Sequence, residues 1–252
     1  MSRLLGTLPG FLALACLVAA APASAQTVPF TEDFDVDVAG WTDNPGFLLF
    51  FESSAGPDGS SSAYGEFDFT DFVEPFPGAG PIVLRAHDEN MASGGHFEGD
   101  WGAAGVAELR VWVRHDAPVD MAWILRIANT FNFPAAAFDA VDPVVPPNTW
   151  TQLVFEVDAD SPYCTPESTN PAFSCGNALA NVAHVQLGTD APAVLIDDGV
   201  LVRFDVDQVS LVPVPEPGQA AMWLAGLGGL ALLARWRRAS WRSVSWRRAS
   251  WS

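Results

Sequence analysis

The sequence predicts an all-β body, an antiparallel two-sheet sandwich, and three observations predict it. Apolar residues recur at every second position: Leu109, Val111 and Val113 alternate with Glu108, Arg110, Trp112 and Arg114, and the period returns at Leu153, Phe155 and Val157 and at Ala183, Val185 and Leu187. A strand turns successive side chains to opposite faces, so period two marks strands with one face on a core. Turn-forming clusters separate these runs, among them Pro57-Asp58-Gly59-Ser60, Pro75-Phe76-Pro77-Gly78, Ser93-Gly94-Gly95 and Asp197-Asp198-Gly199. The body has no long stretch of apolar residues at helical spacing, and short strands spaced this way are the pattern of a sandwich.

In chain order, residues 1–25 read as a cleavable secretory signal. Arg3 precedes an apolar run from Phe11 to Ala21, and Ala23-Ser24-Ala25 offers small residues for cleavage before Gln26. Cys16 imitates a lipoprotein signal, but Ala13 stands where such a signal carries a large aliphatic residue. Residues 26–212 follow as one sandwich domain, long enough for a core and undivided by any repeat or linker. Asp33, Asp35 and Asp37 alternate as in a calcium loop, yet Gly40 falls too late for the loop's glycine and Asn44 replaces its closing glutamate. They read as one wet strand face. Met121–Ala128, broken only by Arg126, reads as a central strand. Cys164 and Cys175 are the thiols left after signal removal; in an exported chain they are expected as a disulfide, with two free thiols as the alternative. In the last strand Val202, Phe204 and Val206 keep one phase while Val209 and Leu211 keep the other. That slip at Asp207-Gln208 predicts a β-bulge, which re-aims a side chain.

The body carries Arg85, Arg110, Arg114, Arg126 and Arg203 against 29 of the chain's 30 acids. No basic stripe meets phosphate, which excludes nucleic acid as a partner, whereas such acidity draws divalent cations. His87, His96, His115 and His184 show no metalloprotease or paired spacing, and no Gly-x-Ser-x-Gly elbow occurs. With so many acids, a carboxylate pair suited to glycoside hydrolysis can be drawn anywhere and identifies nothing. Trp41, Trp101, Trp123 and Trp150 read as core aromatics, while Trp112 shares its strand face with Glu108, Arg110 and Arg114 and is the candidate for ligand contact.

Beyond the body, Pro215 and Pro217 stiffen a spacer that cannot continue the last strand, because proline fixes φ and lacks the amide hydrogen. Gly218 to Ala234 then runs 17 residues without a charge. As a helix it covers roughly 26 Å, close to the ~30 Å hydrocarbon core of a bilayer. Arg235, Arg237 and Arg238 stop it, ahead of a Trp/Arg-rich tail at 239–252, and this excess of arginine puts the tail in the cytoplasm and the body outside. Pro215-Glu216-Pro217, the Gly-rich apolar segment and the arginine cluster resemble the C-terminal sorting signal of PEP-CTERM proteins, over residues 213–238. The resemblance implies transient anchoring in the inner membrane, processing near Pro215, Glu216 and Pro217 by an exosortase-type enzyme, and delivery to the cell surface or extracellular matrix. A permanent anchor behind a plain linker is the alternative. The tail after Arg238 is longer than the family's pattern.

Four phrases of the body carry a second resemblance: Phe30-Thr31-Glu32-Asp33-Phe34-Asp35 with Gly40-Trp41, Leu109 to Arg114, Asn148 to Leu153, and Phe204 to Leu211. Together they resemble the galactose-binding-like jelly roll of carbohydrate-binding modules, with a concanavalin-like sandwich as the alternative. In the resembling modules an acid of the last strand and a glutamate near the first commonly hold a structural calcium, which carries over to Asp207 and Glu32. The two resemblances imply an exported, non-catalytic surface or matrix protein that binds exopolysaccharide. The rivals are a sugar-binding module of defined specificity and a secreted glycan-active enzyme.

Overall fold

The computed structural model describes residues 27–70, 72–73 and 80–214. The secretory signal, Pro215, Glu216 and Pro217, the apolar segment 218–234, Arg235, Arg237, Arg238 and the tail lie outside the described residues. No helix among the described residues is long and apolar enough to cross a membrane.

In chain order the strands are β1 (Phe30–Glu32), β2 (Thr42–Asp43), β3 (Phe50–Glu52), β4 (Ser62–Asp68), β5 (Ile82–His87), β6 (Val106–His115), β7 (Met121–Ala128), β8 (Ala135–Val145), β9 (Thr151–Glu156), β10 (Cys164–Pro166), β11 (His184–Thr189) and β12 (Leu201–Pro213). Short helices α1 (Trp101–Ala104), α2 (Cys175–Leu179) and α3 (Ala193–Asp198) lie in the connections. The strands make two sheets, both antiparallel throughout. Sheet A runs β3-β4-β12-β6-β9 with β1 also paired to β12, and sheet B runs β10-β8-β7-β11-β5-β2. This is the all-β two-sheet sandwich that the alternating pattern predicts.

The phase read as inward is the buried one. Leu109, Val111 and Val113 of β6, Leu153 and Phe155 of β9, and Val202, Phe204 and Val206 of β12 share one core with Trp123, Leu125 and Ile127 of β7 and Val185 and Leu187 of β11. Trp123 meets Phe204 edge-on, 5.6 Å between centroids, and so joins the two sheets. Met121–Ala128 is central as expected, flanked by β8 and β11. Cys164 and Cys175 are disulfide-bonded, tying β10 to the start of α2.

Along one edge of β12, Leu201–Val206 pair with β4 and Val209–Leu211 pair with β1, while β6 lines the other edge. Where the partner changes, the step from Asp207 to Ser210 matches only the step from Trp112 to Arg110 on β6. Gln208 takes a φ of 48°, the left-handed conformation in which the extra residue is absorbed. The phase slip in the sequence is therefore a bulge. It lets apolar side chains on both sides of Asp207 reach the same core.

Candidate functional site

The outer face of sheet B presents polar side chains that are nonetheless covered. On the central strand β11, His184 and Gln186 point away from the core yet are only 5% and 6% exposed. A buried polar side chain is the informative exception to ordinary burial. The register sets His184 opposite His87 and Gln186 opposite Arg85 on β5, and Gln186 opposite Arg126 on β7. Asn132, beyond β7, and Glu89, just after β5, help close a cleft of about 400 Å³ over these strands. That volume suits a small ligand or part of a longer one.

Arg126 organises the cleft. Its Nη2 donates to Glu167 Oε2 at 2.7 Å, and its Nη1 donates to Gln186 Oε1 at 2.7 Å and to Asn132 Oδ1 at 2.8 Å. With Gln186 Oε1 committed as an acceptor, Gln186 Nε2 donates to His87 Nε2 at 2.7 Å. The His87 proton therefore sits on Nδ1, 3.4 Å from Glu89 Oε2. Burial, reinforced by His184 and Arg85, pushes His87 down to about 4 and keeps it neutral at neutral pH.

The two histidine rings stack, 4.0 Å between centroids and 14° from parallel. His184 Nε2 lies 3.3 Å from Asp88 Oδ1 and 3.6 Å from Glu89 Oε1. Neither ring nitrogen of His184 makes a hydrogen bond, and Asp88 Oδ1 and Arg85 Nε are buried in the same condition. A cleft built on rigid strands, with oriented donors and unsatisfied buried atoms, is chemically prepared for a polar ligand.

The outer face of sheet A is organised differently. Arg203 donates through Nη1 and Nη2 to Glu52 at 3.1 and 2.9 Å and through Nε to Asp205 Oδ1 at 2.9 Å, with its guanidinium 3.6 Å above the Tyr64 ring. These hydrogen bonds hold Glu52 below the usual carboxylate range. Arg114 donates to Asp205 Oδ2 at 3.1 Å and lies 5.0 Å from the Trp150 ring. Trp112 is half-buried on this face as expected, paired across the ladders with Asp207 and Gln152.

Glu32 pairs with Val209 on β12, next to the bulge, and its Oε1 accepts the Phe34 amide at 3.0 Å. Asp207 is fully buried, accepting from Ser60 Oγ at 2.8 Å and from the Gln208 amide. Burial, then the charges of Asp33 and Asp58, push Asp207 up to about 6. The acid whose charge reaches Asp207 from the first strand's segment is thus Asp33, the neighbour of Glu32.

Sequence spacing missed the histidine pair because His87 and His184 meet only through the register of β5 and β11. One signal was present. Arg85 and His87, Arg126, and His184 and Gln186 all occupy the polar phase of otherwise apolar strands.

In comparisons with known proteins, residues 213–238 match the PEP-CTERM protein-sorting motif. No curated protein matches the chain. Similar solved structures include the xylan-binding CBM22-2 domain of Paenibacillus barcinonensis Xyn10C, at 15% identity and TM-score 0.41, covering 73% of this chain and 99% of that one. An exo-β-agarase is similar at 12% identity and TM-score 0.46 over 74% of this chain and 26% of its own. The CBM22-1–GH10 portion of Clostridium thermocellum xylanase 10B is similar at 14% identity and TM-score 0.42 over 73% of this chain. The chain spans 28% of that xylanase structure, so about a quarter of each of the two enzymes. Residues 213–238 of this chain are a PEP-CTERM protein-sorting motif.

Proposed function

We propose that this protein is an exported, non-catalytic surface or extracellular-matrix protein that binds exopolysaccharide in the cleft on sheet B. In this reading the sandwich crosses the inner membrane and is held there by 218–234. An exosortase-type enzyme then processes it near Pro215-Glu216-Pro217, with Arg235, Arg237 and Arg238 as the membrane stop. The observation that carries the reading is the joining of a sorting motif to a sandwich with a polar cleft. Arg126, Gln186 and Asn132 are fixed against one another there, and fixed donors and acceptors suit the hydroxyl groups of a sugar.

The test is affinity electrophoresis of the full chain through gels containing polysaccharide from the producing cells. Retardation that weakens in Gln186→Ala supports the reading. Unretarded migration on every glycan overturns it, and release of shortened sugars would make the protein an enzyme instead. Sorting is read separately, by mass spectrometry of the mature C-terminus. Alanine at Pro215, Glu216 and Pro217 should leave the tail attached, and an intact Trp251 on the wild-type protein would remove the processing step.

A structural calcium joining the last strand to the first belongs to the same proposal, with Asp207 and Glu32 as ligands. Asp207 suits the ion because it is a buried carboxylate pressed by Asp33 and Asp58, and calcium would offset that repulsion. Binding to the native state alone adds about 2.7 kcal/mol at a hundredfold excess over Kd. Chelation should lower the melting temperature, and Asp207→Ala or Glu32→Ala should remove the difference.

A further inference from the structure

We propose that His87, His184 and Glu89 bind a divalent transition-metal ion, for which zinc is the probe. One ligand atom from each of the three lies within 4.8 Å of both others. Metal bonds of about 2.0–2.2 Å would draw these atoms together through turning of the side chains. The histidines are presented together because the β5–β11 register sets them directly opposite one another. His184 lines the cleft, is 5% exposed, and has no hydrogen bond to either ring nitrogen. A buried imidazole without a hydrogen bond costs free energy, and a metal ion at Nε2, beside the carboxylates of Asp88 and Glu89, would offset that cost. Asp88 Oδ1, also without a hydrogen bond, lies 3.3 Å from that nitrogen and offers a second carboxylate. Two imidazoles with carboxylate suit zinc, copper or nickel rather than calcium or magnesium, which take oxygen alone. The ion shares the cleft proposed for glycan, but the inference stands without glycan binding.

The surrounding hydrogen bonds make the proposal specific. Metal at His87 Nδ1 moves that ring's proton to Nε2, which faces Gln186. Gln186 must then turn its oxygen to His87 and its NH2 to Arg126 Nη1, exchanging a hydrogen bond of 2.7 Å for a donor–donor contact. Gln186 thus opposes the ion. The carboxylate introduced by Gln186→Glu would accept from both His87 and Arg126 and remove that opposition.

The experiment is calorimetric titration of the full-length chain with zinc alone, in excess magnesium to occupy surface carboxylates and without any glycan. One ion per chain is expected, weakened more than about tenfold in both His184→Ala and Glu89→Gln and tightened about tenfold in Gln186→Glu. The Glu89 side chain is 60% exposed, so its substitution tests the ligand without disturbing the core. Unchanged affinity in Glu89→Gln and His184→Ala overturns the site. A Gln186→Glu variant that binds zinc no tighter than wild type overturns the assignment to His87 Nδ1. Because the titration contains no sugar, its failure leaves polysaccharide retention to be judged on its own.

Discussion

The outer faces of the two sheets use similar parts, arginine among carboxylates beside flat rings, but one face is closed on itself and the other is left open. On sheet A, Arg203 and Arg114 are shared among Glu52, Asp205, Tyr64 and Trp150. Among the described residues of that face, Ser62 Oγ is the buried side-chain atom without a hydrogen bond. On sheet B, Arg126 is similarly engaged, yet His184, Asp88 and Arg85 beside it retain buried polar atoms with no hydrogen bond. A fully satisfied network rigidifies, whereas groups that face a cleft without a protein hydrogen bond keep their capacity for water, an ion or a ligand. Sheet A's outer face is therefore the structural one.

The largest test of that distinction replaces each face's central arginine. Arg203→Leu leaves Asp205, whose side chain is 3% exposed, with Arg114 as its remaining cation and removes the hydrogen bonds to Glu52, and should cost about 3 kcal/mol in denaturant unfolding while leaving polysaccharide retention intact. Arg126→Leu should cost a similar amount and abolish retention as well. Equal loss of retention in both variants would erase the difference between the faces.

Titration without metal, in EDTA, should expose the same contrast with opposite signs. Neutral His87 contributes stability that is present above 6.5 and lost as pH falls toward about 4, because the unfolded chain takes up the proton first. Protonated Asp207 contributes stability that is present below 3.8 and lost as pH rises through about 6. Relative to wild type, Asp207→Asn should therefore gain stability as pH rises across this window, and His87→Gln should lose it. Each change should be on the order of 3 kcal/mol by chemical unfolding. Parallel pH profiles for both variants and wild type would show that neither group is held as described.

Reduction of Cys164–Cys175 should cost roughly 2–3 kcal/mol, because the bridge closes a short loop in the unfolded chain. The loosened segment includes β10, directly before Glu167, so retention should weaken with it. Retention that survives reduction unchanged would make Glu167 dispensable for aligning Arg126. The smallest effect belongs to Trp112→Ala, about 1 kcal/mol with no change in retention. Lost retention there would move the ligand to sheet A.

Period two made the sandwich legible, since the inward phase of β6, β9 and β12 is visible residue by residue. The bulge was legible for the same reason: apolar residues that change phase within one strand can keep facing one core only if a residue is inserted between them. The cleft was only half legible. Polar residues on the outward phase of β5, β7 and β11 stand in the sequence, but water and a binding partner both tolerate such residues. Only the register distinguishes these cases, by bringing His87 onto His184 and Gln186 onto Arg126. Asp33 and Asp58 were likewise hidden, because their action on Asp207 depends on loops that period-two analysis does not place.

The last strand has a mechanical consequence. β12 still pairs with Val106 at Pro213, after a register shift past Val212, and the Val214 amide bonds to Gly105 O at 2.9 Å, one residue before Pro215. A tether that leaves Val214 along the strand axis would pull on β12 along its own length. That strand is clamped by β6 on one edge and by β4 and β1 on the other, so the load is shared by several hydrogen bonds at once instead of opening them one by one. Tension between a held C-terminus and an immobilised partner would be carried in shear through the middle of sheet A, away from the cleft on sheet B.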